Sequence, residues 1–162
     1  NPVAKFCASE LADFNADGLE DLTQSDRSAG LRLRGLFDPS DPNGRSAGSF
    51  FTNPIVDDAT AERVVDAALA SGIVSAATEV PRWPSGPRRT KLAAGWLIEK
   101  AGIAKGLRRG PVGVSSVHAL ALVHHGGGTT RELLALADEV KATVRARFGV
   151  ELEREPVILG GR

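Results

Sequence analysis

The spacing of apolar and polar positions divides this chain into one long helix, two shorter helices and several brief strands. Leu133, Leu136, Ala137, Val140, Val144 and Phe148 recur at intervals of three and four, as one buried face of an α-helix requires. Thr129 and Glu132 stand at its head in the Thr-x-x-Glu spacing of a capping box, and Gly149 follows its last turn. Val64, Val65, Ala68 and Leu69 predict a second helix over residues 59–71, with Asp58 as its cap and Gly72 as its stop. A third is expected after a Thr90 cap, carrying Leu92, Trp96 and Leu97 and ending at Gly102. Period-two alternation over residues 117–124 predicts a strand, broken by Gly126-Gly127-Gly128. Residues 47–56 read as a strand entering a turn, and residues 150–153 and 156–160 as short closing strands. Pro81, Pro84 and Pro87 predict a loop across residues 79–90. Helices and strands mix without a regular β-α-β order. The expected fold is therefore α+β, a small mixed or antiparallel sheet packed against about three helices.

Composition narrows the class. The 162 residues suit one domain with an extension, and 42% apolar against 25% charged residues is an ordinary globular balance. Lys+Arg and Asp+Glu are equal at 20 each, so net charge does not point to a polyanionic partner. The charges are unevenly placed. Residues 1–62 hold eleven acids and five bases, and residues 81–118 hold eight bases with Glu99 as their only acid. The aromatic content of the basic stretch, Trp83 and Trp96, is thin for stacking on nucleic acid. The expectation is no nucleic-acid and no membrane partner, since no apolar run approaches spanning length. A lone Cys7 allows no internal disulfide, which suits a cytoplasmic location. The chain contains no Met and begins with Asn, so it is expected to be a piece of a longer protein.

Residues 1–37 read as an irregular acidic extension, closed by the loop signals Pro39, Pro42, Asn43 and Gly44. Within it, Asp13, Asn15, Asp17 and Asp21 surround Gly18 in a pattern suited to calcium. Gln24 stands where an EF-hand places its bidentate Glu, so an acidic loop is the stronger reading and no metal site is assigned. His124-His125-Gly126-Gly127-Gly128 is read as a strand-to-helix turn. It lacks both the Gly-x-Ser-x-Gly elbow of an esterase and the Gly-Lys-Ser/Thr ending of a phosphate loop.

The most informative run is Gly48-Ser49-Phe50-Phe51-Thr52-Asn53-Pro54. Gly48 is expected to permit close backbone approach, the two phenylalanines to bury the segment, and Ser49 and Asn53 to line a ligand pocket. Taken alone, a strand entering a turn explains the run as well. Three later segments accompany it in order. They are Lys91-Leu92-Ala93-Ala94-Gly95-Trp96-Leu97-Ile98-Glu99-Lys100-Ala101-Gly102, His118-Ala119-Leu120-Ala121-Leu122-Val123, and Phe148-Gly149-Val150-Glu151-Leu152-Glu153-Arg154-Glu155-Pro156. Together these four segments resemble the C-terminal, substrate-binding domain of the UDP-N-acetylenolpyruvoylglucosamine reductase (UDP-N-acetylmuramate dehydrogenase) family, from about Asp38 to Gly160. Residues 1–37 do not carry the resemblance.

The resemblance implies a flavoenzyme of peptidoglycan synthesis that uses NADPH and FAD to reduce UDP-N-acetylglucosamine enolpyruvate to UDP-N-acetylmuramate. It implies that Ser49 donates a proton to a substrate carbon, and that Glu155 sits near the enolpyruvyl carboxylate. A carboxyl so placed holds its proton more tightly than usual. Lys91 and Lys105 fall where the family binds the pyrophosphate and nearby sugar, and Trp83 falls where many members carry a Tyr. Asn53 and His118 match nucleotide or sugar contacts, His118 replacing a Gln of some members. The flavin-binding domains lie upstream in the family, so no residue here is assigned to FAD, and this chain by itself is expected not to turn over. The competing expectation is a non-catalytic module that binds a UDP-sugar or is stabilised by calcium.

Overall fold

The computed structural model describes residues 42–157. The calcium-like run and the acidic extension lie outside these residues, as do residues 158–160 of the last expected strand. The architecture is α+β, three helices with two small antiparallel sheets. The first sheet has the order β1-β7-β6-β5, from Ser46–Ser49 (β1), Ala121–His124 (β7), Val112–Val114 (β6) and Arg108–Arg109 (β5). The second has the order β2-β4-β3, from Ile55–Asp57 (β2), Arg89–Leu92 (β4) and Arg82–Pro84 (β3). The helices are Asp58–Ala70 (α1), Ala94–Lys100 (α2) and Thr130–Phe148 (α3).

α3 follows its sequence pattern closely. The Thr129 hydroxyl accepts from the Glu132 amide at 3.3 Å, while the Glu132 carboxylate accepts from the Thr129 amide at 2.8 Å. Leu136, Ala137, Val140, Val144 and Phe148 are buried, Leu133 is half-buried, and Gly149 closes the helix in the left-handed conformation at φ 67°. Phe148 meets Trp96 of α2 with ring centroids 5.8 Å apart, joining two helices in one core.

Other expectations need correction. The cap of α1 is Asp57, whose carboxylate accepts from the Thr60 amide at 2.7 Å, and Leu69 is exposed while Ala61 is buried. Thr90 lies in β4 and donates to Asp58 at 2.8 Å, so it caps no helix. The proline-rich stretch forms the β3–β4 hairpin. Pro84 is accommodated because β3 is an edge strand, where a missing amide breaks no ladder on its outer side. The hairpin turns through Gly86 at φ 96° and Arg88 at φ 58°. The strand expected over residues 117–124 begins only at Ala121, because residues 115–120 fold into a turn closed by the Ala121 amide on the His118 carbonyl. Residues 150–153 form no strand; a single bridge joins Arg154 to Phe51.

The run around the two phenylalanines is not one strand. β1 ends at Ser49, the Phe50 amide donates to the Leu120 carbonyl, the Thr52 amide donates to Glu153, and the Pro54 carbonyl accepts from Leu92 beside β2. The segment therefore crosses from one sheet to the other. Both of its flanks are covered, which explains why two consecutive phenylalanines are 3% and 1% exposed.

Candidate functional site

Ser49 is aimed by a bulge. Ser46 pairs with Val123 and Ser49 pairs with Ala121, so β1 holds one more residue than β7 between these pairs. Such an insertion turns the following side chain to a new direction. Gly48 supplies the conformation, at φ 80°, which an L side chain adopts only with strain. A Cβ at Gly48 would meet nothing within 4 Å, so its role is backbone torsion and not the close approach expected from the sequence. Ser49 emerges half-buried at the end of the strand.

Glu155 arrives from the far end of the chain. The Phe51–Arg154 bridge sets the register, and the Glu155 amide donates to the Phe50 carbonyl at 3.1 Å. Glu155 thus stands across from Phe50, the residue after Ser49, with its own side chain exposed.

Asn53, Lys91 and Trp83 form a second group. In the β2-β4-β3 sheet Ile55 pairs with Lys91 and Lys91 with Trp83, which puts the three side chains in one row on one face. The opposite face turns towards α1. It carries the buried Leu92, the Thr90–Asp58 hydrogen bond and the Arg82–Glu62 ion pair at 3.0 Å. The Lys91 row therefore faces outward, with Ile55 44% and Trp83 39% exposed. Two residues ahead of Ile55, the Asn53 side-chain oxygen accepts from the Ala94 amide at 2.9 Å, satisfying the first turn of α2.

Lys105 and His118 form a third group. The Lys105 ammonium lies 3.2 Å from the Glu99 carboxylate of α2. Burial pushes the His118 pKa below its ordinary value, the Lys105 charge pushes it further down, and Glu99 opposes both. Contacts along α2 link these groups: Asn53 accepts from Ala94 at its start, and Lys105 pairs with Glu99 near its end. Gly95 packs against Leu120, whose carbonyl holds Phe50, while Ala121 follows His118 by three residues and faces Ser49.

The eight bases of residues 81–118 do not act as one patch. Arg82 pairs with Glu62, Arg89 donates to the Ile55 carbonyl at 3.0 Å, and Arg109 grips Glu139 of α3 with two nitrogens at 2.6 and 3.1 Å. Sequence reasoning passed over Asn43 and Ser115. Asn43 was legible only as part of a turn, and Ser115 is a serine of an unremarkable Val-Ser-Ser run. No group of three or more His, Cys, Asp or Glu side chains suited to a metal occurs among the described residues. No helix among them is long and apolar enough to cross a membrane.

With this geometry in hand, the comparison with known proteins is specific. Residues 38–159 match the family described as UDP-N-acetylenolpyruvoylglucosamine reductase, C-terminal domain. This chain belongs to that family. Curated reductases of the same name are similar over most of its length. That of Thermobifida fusca is 46% identical over 134 residues, covering 83% of this chain and 36% of its own. That of Cupriavidus pinatubonensis is 50% identical over 129 residues, covering 80% of this chain and 35% of its own. That of Ralstonia nicotianae is 44% identical over 154 residues, covering 94% of this chain and 41% of its own. All three alignments reach ahead of Asp38. The chain thus spans little more than a third of the length of the reductases it matches. All four ordered segments, with the seven candidate residues, fall inside the reductase-family match.

Two concavities, of about 480 and 530 Å³, open along the outer side of α3, and none of the seven candidate residues lines them. Their walls of Ala142, Ala146, Lys141 and Arg145 offer no aromatic slot of the kind that seats an isoalloxazine ring. Neither concavity is a flavin site, and no step through flavin is derived from these residues.

Proposed function

We propose that residues 38–162 are the substrate-binding and proton-donating domain of a reductase that converts UDP-N-acetylglucosamine enolpyruvate to UDP-N-acetylmuramate in cytoplasmic peptidoglycan synthesis. Residues 1–37 lie ahead of that domain. The reducing equivalents come from NADPH through FAD held by other parts of the complete enzyme. In this reading Ser49 gives its proton to a substrate carbon, and Glu155 faces the enolpyruvyl carboxylate. Lys91 and Lys105 neutralise the pyrophosphate, acting as compact point charges. Trp83 covers the ligand, while Asn53 and His118 contact the nucleotide or sugar. A Ser hydroxyl is a weak acid, so its use depends on being held beside the carbon that needs the proton.

The observation that supports the reading is the pairing of residues 50–52 with residues 153–155, which sets the Glu155 backbone against Phe50, the neighbour of Ser49, across more than a hundred residues of chain. A general anion patch explains neither this pairing nor the Lys91–Trp83 row.

UDP added to the chain is expected to change the fluorescence of Trp83, which is exposed beside Lys91. Lys91→Ala should weaken UDP about tenfold, the loss of one charge-assisted contact. Lys100→Ala removes the same charge from the last turn of α2 and should leave the affinity unchanged. A fluorescence signal indifferent to UDP, or equal losses in the two variants, would refute the site. Ser49→Ala in the complete enzyme should lower kcat far more than it raises KM.

A further inference from the structure

We infer that Asn43 and Ser115 form a positioning relay that fixes the two backbone segments carrying Lys105 and His118, and so sets the substrate affinity of the proposed site. The inference rests on the reading that Lys105 and His118 contact the UDP-sugar. Ser115 is 3% exposed, the buried polar residue of the described core. A serine hydroxyl has one hydrogen to donate and two lone pairs to fill, and this one uses all three. It donates to the Asn43 side-chain oxygen at 2.9 Å and accepts from the amides of Val117 at 3.1 Å and His118 at 3.2 Å. The Ser115 carbonyl accepts from the Gly106 amide at 3.1 Å, next to Lys105. One residue thereby ties down both segments.

Asn43 holds Ser115 in that state. Its side-chain oxygen also accepts from the Ser116 amide at 3.0 Å, and its side-chain nitrogen donates to the Ser116 hydroxyl at 3.1 Å. With the Ser115 hydrogen committed to Asn43, both lone pairs face the turn. Without Asn43 the hydroxyl rotates to find another acceptor, and its lone pairs leave the buried amides behind it. Among the described residues no buried side-chain nitrogen or oxygen lacks a partner, so the relay has no slack to absorb the loss. Asn43 and Ser115 act on Lys105 and His118 through backbone, by the turn over residues 115–120 and the Gly106 amide.

Three variants of the chain test this with two measurements, UDP affinity and NMR titration of the His118 ring. Asn43→Ala should weaken UDP about fivefold to tenfold, the worth of a lost hydrogen-bond network. It should also move the His118 pKa back up towards its ordinary value, because the ring becomes less buried and feels the Lys105 charge less. A merely structural loop anchor would not shift that titration. Asn43→Asp keeps the oxygen acceptor and should restore both readouts in large part. In a His118→Ala background Asn43→Ala should cost less UDP affinity than in the parent chain, the part carried through Lys105 remaining, since residues acting through one another are non-additive. The relay is overturned if Asn43→Ala leaves the His118 titration where it was, or if the two substitutions add independently. If UDP binds no form of the chain, the substrate reading fails, and the ring titration still decides the relay.

Discussion

Gly48 and Gly113 lie in strands of the same sheet but resist substitution for different physical reasons. At Gly48 space is free and the torsion is not, so Gly48→Ala should cost about 1–2 kcal/mol of left-handed strain. At Gly113 the torsion is ordinary, but a Cβ would lie 2.6 Å from the Leu107 carbonyl oxygen and 3.0 Å from the His125 ring nitrogen. The Leu107 oxygen is held at 2.8 Å by the Val114 amide, so it cannot retreat without breaking a ladder bond. Gly113→Ala should therefore cost about 2–3 kcal/mol, at the upper end of overpacking penalties. Urea unfolding of both variants decides the order, and a smaller loss at Gly113 would contradict the clash. Gly48 has a further consequence: restoring regular pairing of β1 would rotate Ser49 away from its bulged direction. A stable Gly48→Ala chain should still lose turnover when present in the complete enzyme.

At the scale of elements, α2 and α3 show how two helices of one domain reach the same end by different means. α3 carries its own start signal, Thr129 with Glu132, within four residues. α2 begins after Ala93, which has no capping side chain, and takes its cap from Asn53, 41 residues away. No local pattern encodes such a partner, which is why Thr90 stood out as the cap in the sequence. Pro84 misled for a related reason. A proline argues against a central strand, and only the sheet order β2-β4-β3 reveals that β3 is an edge. Thr129→Ala and Asn53→Ala should each remove about 1 kcal/mol, the usual worth of a cap. They should differ in function. Asn53→Ala should also weaken UDP, because in the proposed site Asn53 contacts the ligand, whereas Thr129→Ala should leave UDP affinity unchanged. Chemical denaturation and UDP titration on the same samples check both statements. Equal UDP affinities in the two variants would leave Asn53 with a capping role alone.

The molecule as a whole unites residues that the chain separates widely, and this limits what sequence patterns alone convey. α3 and its buried stripe were legible because their determinants lie within one helix. The turn over residues 115–120, the splitting of residues 47–56 between two sheets and the bridge to Arg154 were not, because each depends on a partner distant in sequence. Five of the seven candidate residues came from the ordered motifs, and Trp83 and Lys105 from their positions within the resemblance; the groupings around Ser49 and Lys91 came from strand register. The same long-range burial sets the response of the whole fold to pH. Burial lowers the pKa of His118 and of His125, with Lys105 adding to the first and Arg108 and His124 to the second. A histidine whose folded pKa lies below its unfolded value of about 6.5 binds fewer protons when folded. Stability is then fully present above that value and is lost as pH falls from it towards the folded pKa. Asp57, Glu132 and Glu139 are shifted down as well, Asp57 and Glu132 chiefly by backbone amides and Glu139 by Arg109. Their contribution is present above the ordinary carboxylate range and disappears only below it. Unfolding free energy should therefore fall in two stages on acidification, first below about pH 6.5 and again below about pH 4.5. Replacing His118 and His125 together with Gln should flatten the first stage and leave the second. Urea titrations of the chain and the double variant across pH 7.5 to 3 separate the two, and a first stage that survives both substitutions would show that neither ring titrates with unfolding.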